Sequence, residues 1–383
     1  MKECSKCGSK NADTAVFCMD CGNELKGTAD SAQIKTPANK KTALVVIGAV
    51  ISVLLVVCIA VFSVQLLLSK YTAANQLPNS LIQANMTSWG YAAYDGENTY
   101  FSDGASGIYI LKENGKKELF TAGKYSDMGI LNGTIYCIEY QQTENEFKDS
   151  NVIVGINIES REKHTAFEPS QADMVLISVN VINSKYYFVA DRDVLYSIDV
   201  EGKVENTGIH CAKKVSESGI YTAETSEYGL RLLSFDGKAV KTYSGLSGYK
   251  VEVCFEQDGF IYLKYSDDSS EKVYRMSMDT GELTLFPDDE SFFEGNISSC
   301  VNCFDGTFYI STSKMSDERN YYGRFDYNVY SMDSGGGNIK KIYSKTDDTG
   351  FSFCTINIAN NNLIISFPIT GVEPEIVNIE PRS

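Results

Sequence analysis

Histidine is nearly absent from these 383 residues: His164 and His210 are the only two, so histidine-based catalysis and multi-histidine metal sites have almost no material to work with. Seven prolines and a charged fraction of 22% exclude a collagen-like or largely disordered chain. Basic residues are scarce beside acidic ones, 34 against 50, and a net charge of −16 argues against a nucleic-acid partner. No Gly-x-Ser-x-Gly elbow occurs. Gly335-Gly336-Gly337 reads as a long turn, because no helix follows it to complete a phosphate loop. The acidic groups Asp267-Asp268, Asp288-Asp289-Glu290 and Asp347-Asp348 lack the spacing of a calcium loop and read as solvated loop charge.

Cysteine, by contrast, is abundant, and position sorts the eleven into three environments. Four lie in the first 25 residues. One, Cys58, falls in a long apolar stretch. The remaining six (Cys137, Cys211, Cys254, Cys300, Cys303 and Cys354) lie beyond it and read as small buried core residues, with disulfides as the alternative. Cys300 and Cys303, three apart on a predicted strand, are expected to point to opposite faces.

The first cluster has the form Cys4-x-x-Cys7-Gly8, ten intervening residues, then Cys18-x-x-Cys21-Gly22. Two residues between cysteines let both thiolates of a knuckle face one ion, and the following glycine allows the positive φ of so tight a turn. Two knuckles supply the four thiolates of a closed tetrahedral site, so Cys4, Cys7, Cys18 and Cys21 are the expected ligands of a structural Zn²⁺. So short a segment cannot bury a self-sufficient core, and the metal is expected to supply most of its folding free energy. Phe17 and Leu25 are the expected apolar lid. With Asn11 and Ala15, these residues resemble the short zinc-ribbon domain found at the N-terminus of many bacterial membrane proteins. The resemblance covers about 25 residues. It lacks the usual proline after the first cysteine of each knuckle, where Ser5 and Met19 stand. It implies a structural or interaction role and no defined reaction.

Between Lys41 and Lys70 there is no charge. Leu44 to Val64 would make roughly 31 Å of helix, the thickness of a hydrocarbon core. A transmembrane helix over 42–68 is therefore expected, as an uncleaved signal-anchor. Lys35, Lys40 and Lys41 precede it and only Lys70 follows closely, which predicts a cytoplasmic N-terminus and an extracellular C-terminal domain at the cell membrane. Residues 1–69 carry a net charge of +2 and the remainder −18, and all 24 tyrosines lie beyond residue 70.

That remainder repeats. A turn precedes an aromatic strand at Asp95-Gly96, Asn132-Gly133, Asn183-Ser184, Ser218-Gly219, Asp258-Gly259 and Asp305-Gly306, with a degenerate copy at Asn360-Asn361. Several copies continue into a second strand, such as Leu195 to Asp199, and a third, such as Thr284 to Phe286. Strand-rich repeats of this length predict a β-propeller, with seven blades expected and six or eight as alternatives. The residues before Trp89, Leu77 to Ala84, are expected to add the outer strand that the last copy lacks. The repeat resembles a Gram-positive extracellular propeller family of unknown function, related to low-density-lipoprotein-receptor-type propellers. It implies the fold over most of 86–380 and carries over no functional residue.

The chain is thus expected to be mainly β: a zinc ribbon (1–25), a flexible linker (26–41), a transmembrane helix (42–68), a spacer (69–85) and a β-propeller (86–383). The expected role is binding or sensing. The propeller would recognise an extracellular protein, glycan or cell-wall ligand, and the ribbon a cytoplasmic protein. The alternative is an extracytoplasmic carbohydrate hydrolase or lyase using carboxylates at the propeller mouth.

Overall fold

The computed structural model describes residues 1–25 and 79–379, apart from residues 142–149, 171–176, 192, 224–228, 247–249, 267–270, 318–323, 348–353 and 368–372. The chain divides into two compact units, Met1–Gln65 and Leu66–Ser383.

In the first unit, strand β1 (Lys2–Glu3) pairs antiparallel with β2 (Lys10–Asn11), and an isolated bridge joins Phe17 to Glu24. Leu25 packs with Cys4, Cys18 and Ala15. Phe17 is 59% exposed and is not part of the lid expected of it. Its bridge to Glu24 fixes its backbone and leaves the ring in solvent.

The second unit is a ring of seven antiparallel sheets, each a meander in sequence order. The strand beginning each sheet is innermost: Ala92–Tyr94 in blade I, Tyr125–Leu131 in II, Ile177–Ile182 in III, Ala212–Ser216 in IV, Val251–Gln257 in V, Asn296–Phe304 in VI and Thr355–Ala359 in VII. Contacts between neighbouring blades run round the ring and close from VII to I. The repeated turns are the first hairpin of each blade. At Asn132-Gly133, Asn183-Ser184, Asp258-Gly259, Asp305-Gly306 and Asn360-Asn361 both residues have positive φ, the geometry of a type I′ turn.

The tyrosine that follows each turn explains the aromatic repeat. Tyr136, Tyr187, Tyr221, Tyr262 and Tyr309 each sit three positions past the second turn residue, on the second strand, at 5% exposure or less; in blade IV the turn residues are Glu217-Ser218, one position earlier than expected, because Ser216 pairs with Gly219. Each belongs to the apolar cluster between its own blade and the next. Tyr100 does the same between blades I and II. Blade VII has Ile364 there, and its seam with blade I is, among the described residues, the smallest of the seven between blades: Ala92, Phe101, Ala359 and Ile364. Sheets covered on both faces bury both faces, and Ile135, Tyr136, Cys137 and Ile138 are all buried.

Two expectations are corrected. Among the described residues the stretch before Trp89 adds no outer strand. Asn79–Thr87 is a helix, α1, touching the inner strands of blades II to VII, so it fills the central channel. Among the described residues blade VII accordingly has three strands where the other six have four. The expected fold class is corrected as well, to a seven-bladed β-propeller plus a zinc ribbon. Among the described residues no helix is long and apolar enough to cross a membrane, and the span expected at 42–68 lies outside them. The linker expected at 26–41 and the spacer up to residue 78 also lie outside them.

Candidate metal centre and propeller channel

Two knuckles of the same construction build the ribbon site. Cys4 N–H donates to Ser9 O (2.9 Å) and Gly8 N–H to Cys4 O (2.8 Å); Cys18 N–H donates to Asn23 O (2.8 Å) and Gly22 N–H to Cys18 O (2.9 Å). Gly8 and Gly22 turn the chain with φ of 75° and 67°. The four sulfurs of Cys4, Cys7, Cys18 and Cys21 lie within 4.8 Å of one another. Cys4 Sγ is 3.6 Å from Cys21 Sγ, and Cys7 Sγ is 3.5 Å from Cys18 Sγ. Thiolates about 2.3 Å from a central zinc define a tetrahedron with edges of about 3.8 Å, so this donor set matches a tetrahedral metal.

A buried side chain outside the expected ligand set, Asn11, ties the knuckles together. Asn11 accepts from Met19 N–H (2.9 Å), donates to Ser9 O (2.9 Å) and places Nδ2 3.5 Å from Cys18 Sγ. Hydrogen bonds from the Asp20 and Cys21 amides, with the Asn11 amide, draw the Cys18 thiol down to about 6. Hydrogen bonding to Ser9 lowers Cys7 as well. Cys21 accepts from the Asn23 amide, but the surrounding thiols and burial push it up to about 12. Crowded sulfurs cannot all ionise without a cation among them.

The propeller's centre is a polar lock around α1. Three positions before the hairpin turn, the inner strand carries Asn180, Lys214, Asn302 and Asn357 in blades III, IV, VI and VII, all at 2% exposure or less. Asn85 on the helix donates to Ile358 O (2.7 Å) and accepts from Ile358 N–H (2.8 Å) and Asn302 Nδ2 (2.8 Å). Asn357 Nδ2 donates to Ser88 O at 3.0 Å, and Glu256 N–H to Gln83 Oε1 at 2.9 Å. Lys214 Nζ donates to Gln83 O (3.0 Å) and Thr87 Oγ1 (2.6 Å) at the helix C-terminus, where a cation suits the exposed carbonyls. Burial lowers its pKa to about 8. In blade II the matching position is Gly129, whose missing Cβ leaves room for Met86 and Val181.

Among the described residues the buried carboxylates are Asp127 and Glu139, both on blade II. Glu139 accepts from Lys163 Nζ (2.6 Å) and Tyr125 Oη (3.0 Å), and Asp127 from Ser126 Oγ (2.6 Å). They are not an opposed pair across a cavity. Cys137, Cys254, Cys300, Cys303 and Cys354 are buried and unpaired in this structure, and Cys211 is partly buried. Cys300 packs between blades VI and VII and Cys303 between V and VI, so they do face opposite ways.

A zinc-ribbon family model matches residues 4–25. No curated protein matches the sequence, and nothing supports the resemblance to the receptor-related propeller family. Among solved structures, the chain is similar to oligogalacturonate lyase from Vibrio parahaemolyticus (12% identity, TM-score 0.46, 78% of this chain and 88% of that one). It is also similar to the xyloglucanase from Xanthomonas campestris (11%, 0.40, 64% and 43%) and to prolyl oligopeptidase B from Galerina marginata (10%, 0.45, 72% and 46%). The chain thus spans less than half the length of the last two. Likenesses this loose carry no argument about activity; the ribbon with four cysteines placed to bind a metal, and the seven-bladed propeller, stand on their own geometry.

Proposed function

We propose that this protein is a binding protein: its propeller recognises an extracellular protein, glycan or cell-wall ligand, and its ribbon, folded around Zn²⁺, contacts a protein partner. The observation that carries the reading is helix α1. Propeller enzymes need a reaction cavity, and here the channel is filled by the chain's own helix, held by Asn85, Gln83, Lys214 and Asn302. The buried carboxylates are both committed to local partners, which gives the hydrolase or lyase alternative less support. In the ribbon, four thiolates complete a tetrahedron and leave no open position, so the ion's role is structural.

Two measurements test this. Full-length protein screened against glycan and cell-wall fragments is expected to retain a ligand unchanged; turnover of a bound fragment would overturn the binding reading. Elemental analysis is expected to give one zinc per chain, and unchanged metal content in Cys4→Ser would overturn the metal assignment.

A further inference from the structure

The third strand of blade VII, Glu375–Asn378, is where this propeller departs from its own repeat. It pairs with Asn362–Ser366 in the register Leu363–Val377 and Ile365–Glu375, and among the described residues nothing pairs with its other edge. Ile379 N–H donates to Asn361 O at 2.8 Å. In an antiparallel ladder this makes 361/379, 363/377 and 365/375 the hydrogen-bonded pairs. The N–H and C=O groups of Ile376 and Asn378 therefore point away from the sheet.

They point into a cleft. Ile376 and Asn378 line one side of a cavity of about 680 Å³, and Thr99, Leu111 and Lys117 of blade I line the other. That volume is in the range of ligand sites. Its two lysines are already neutralised: Lys117 Nζ pairs with Glu373 at 2.5 Å and Lys112 Nζ with Glu118 at 3.2 Å. Three exposed carboxylates of the rim, Glu97, Glu113 and Glu375, have no ion pair among the described residues. The cleft offers backbone donors and acceptors in a row, the apolar side chains of Leu111, Pro374 and Ile376, and uncompensated negative charge.

We propose that this edge binds an extended, basic peptide segment of a partner protein, which adds to blade VII as its fourth strand. Main-chain hydrogen bonds to Ile376 and Asn378 hold the segment, and alternate lysine or arginine side chains meet Glu97, Glu113 and Glu375. The inference rests on the binding reading above and names its surface and ligand class.

The test is fluorescence polarisation with the full-length protein and a dye-labelled peptide of alternating lysine and valine. Binding is expected, weakening as salt rises. Asn378→Pro removes an outward N–H that the sheet does not use, and should weaken binding by at least about fivefold. Glu97→Lys combined with Glu375→Lys, both exposed, should weaken it at least as much and carries the test if the proline variant does not fold. An equally bound peptide of alternating glutamate and valine would overturn the proposal, as would no binding of the lysine peptide. Self-association abolished by Asn378→Pro would assign the edge to a second copy and also overturn it. A glycan retained equally by wild type and Asn378→Pro, with the lysine peptide unbound, would overturn the edge assignment and leave the wider binding role standing.

Discussion

At the residue scale, Asn85 shows how a helix can be held inside a propeller. Its one amide satisfies both backbone groups of Ile358 and one N–H of Asn302, at 2.7 to 2.8 Å. Replacing it by leucine keeps the volume and strands those partners in a buried site. Asn85→Leu should therefore cost about 2–4 kcal/mol in urea unfolding followed by the fluorescence of Trp89, the chain's single tryptophan. A cost below about 1 kcal/mol would show that the lock does not depend on this amide. The inner-strand asparagines leave a trace in the sequence: Asn302 meets Asn85, Asn357 meets Ser88 O and Asn180 meets Val215 O. Asn180-Val-Ile-Asn183, Asn302-Cys-Phe-Asp305 and Asn357-Ile-Ala-Asn360 all place asparagine three residues before the turn, on strands that are otherwise largely apolar. A polar residue at one fixed place in several repeats signals a shared polar axis, and nothing on the same element hints at it. The metal ligands were legible for the opposite reason, since knuckle spacing is local and the glycine after each pair follows from the turn itself. Asn11 was not, because its contact with Cys18 spans the two knuckles.

At the scale of elements, the strands could be found because their turns demand particular residues. Type I′ hairpins need positive φ twice, and Asn-Gly and Asp-Gly provide it wherever they stand. Helix α1 could not be found this way. Leu81, Gln83, Ala84, Asn85 and Met86 are buried together, so the helix has no solvent face and no amphipathic period. The missing strand of blade VII was legible only as an absence, and the segment assigned to fill it proved to be that helix. The resulting seam is the weakest joint in the ring. Among the described residues four buried side chains form its core, against eight or more at each other blade interface. Site-resolved hydrogen exchange should therefore show blade VII opening at lower free energy than blades III to VI. Within its last strand, the amides of Ile376 and Asn378 should exchange fast and that of Val377 slowly, following the ladder. Uniform protection across those residues would mean that the edge is covered.

At the scale of the whole molecule, the tyrosine-rich interfaces make stability depend on alkaline pH with a definite sign. Burial raises Tyr91, Tyr100, Tyr221 and Tyr327, and pushes Tyr140 and Tyr262 up to about 12. These groups keep their protons in the fold when the unfolded chain, with ordinary phenols near 10, gives them up. The folded state then binds more protons, and stability falls as pH rises above about 10, by up to about 1.4 kcal/mol per pH unit for each such tyrosine. Lys264, raised by Glu252 and Glu271 against the effect of its own burial, loses its contribution in the same direction. Lys214 acts oppositely. Its folded pKa is lowered to about 8, so between 8 and its ordinary 10.5 the unfolded chain binds the extra proton and stability gains with pH. Urea midpoints should thus hold or rise slightly from pH 8 to 9.5 and fall steeply above 10. Lys214→Met should remove the rise and leave the fall, since it takes away one buried cation and none of the phenols. A midpoint unchanged between pH 9 and 11 would mean that the blade interfaces do not hold their tyrosines in the protonated form, and the packing that closes this ring would have to be assigned differently.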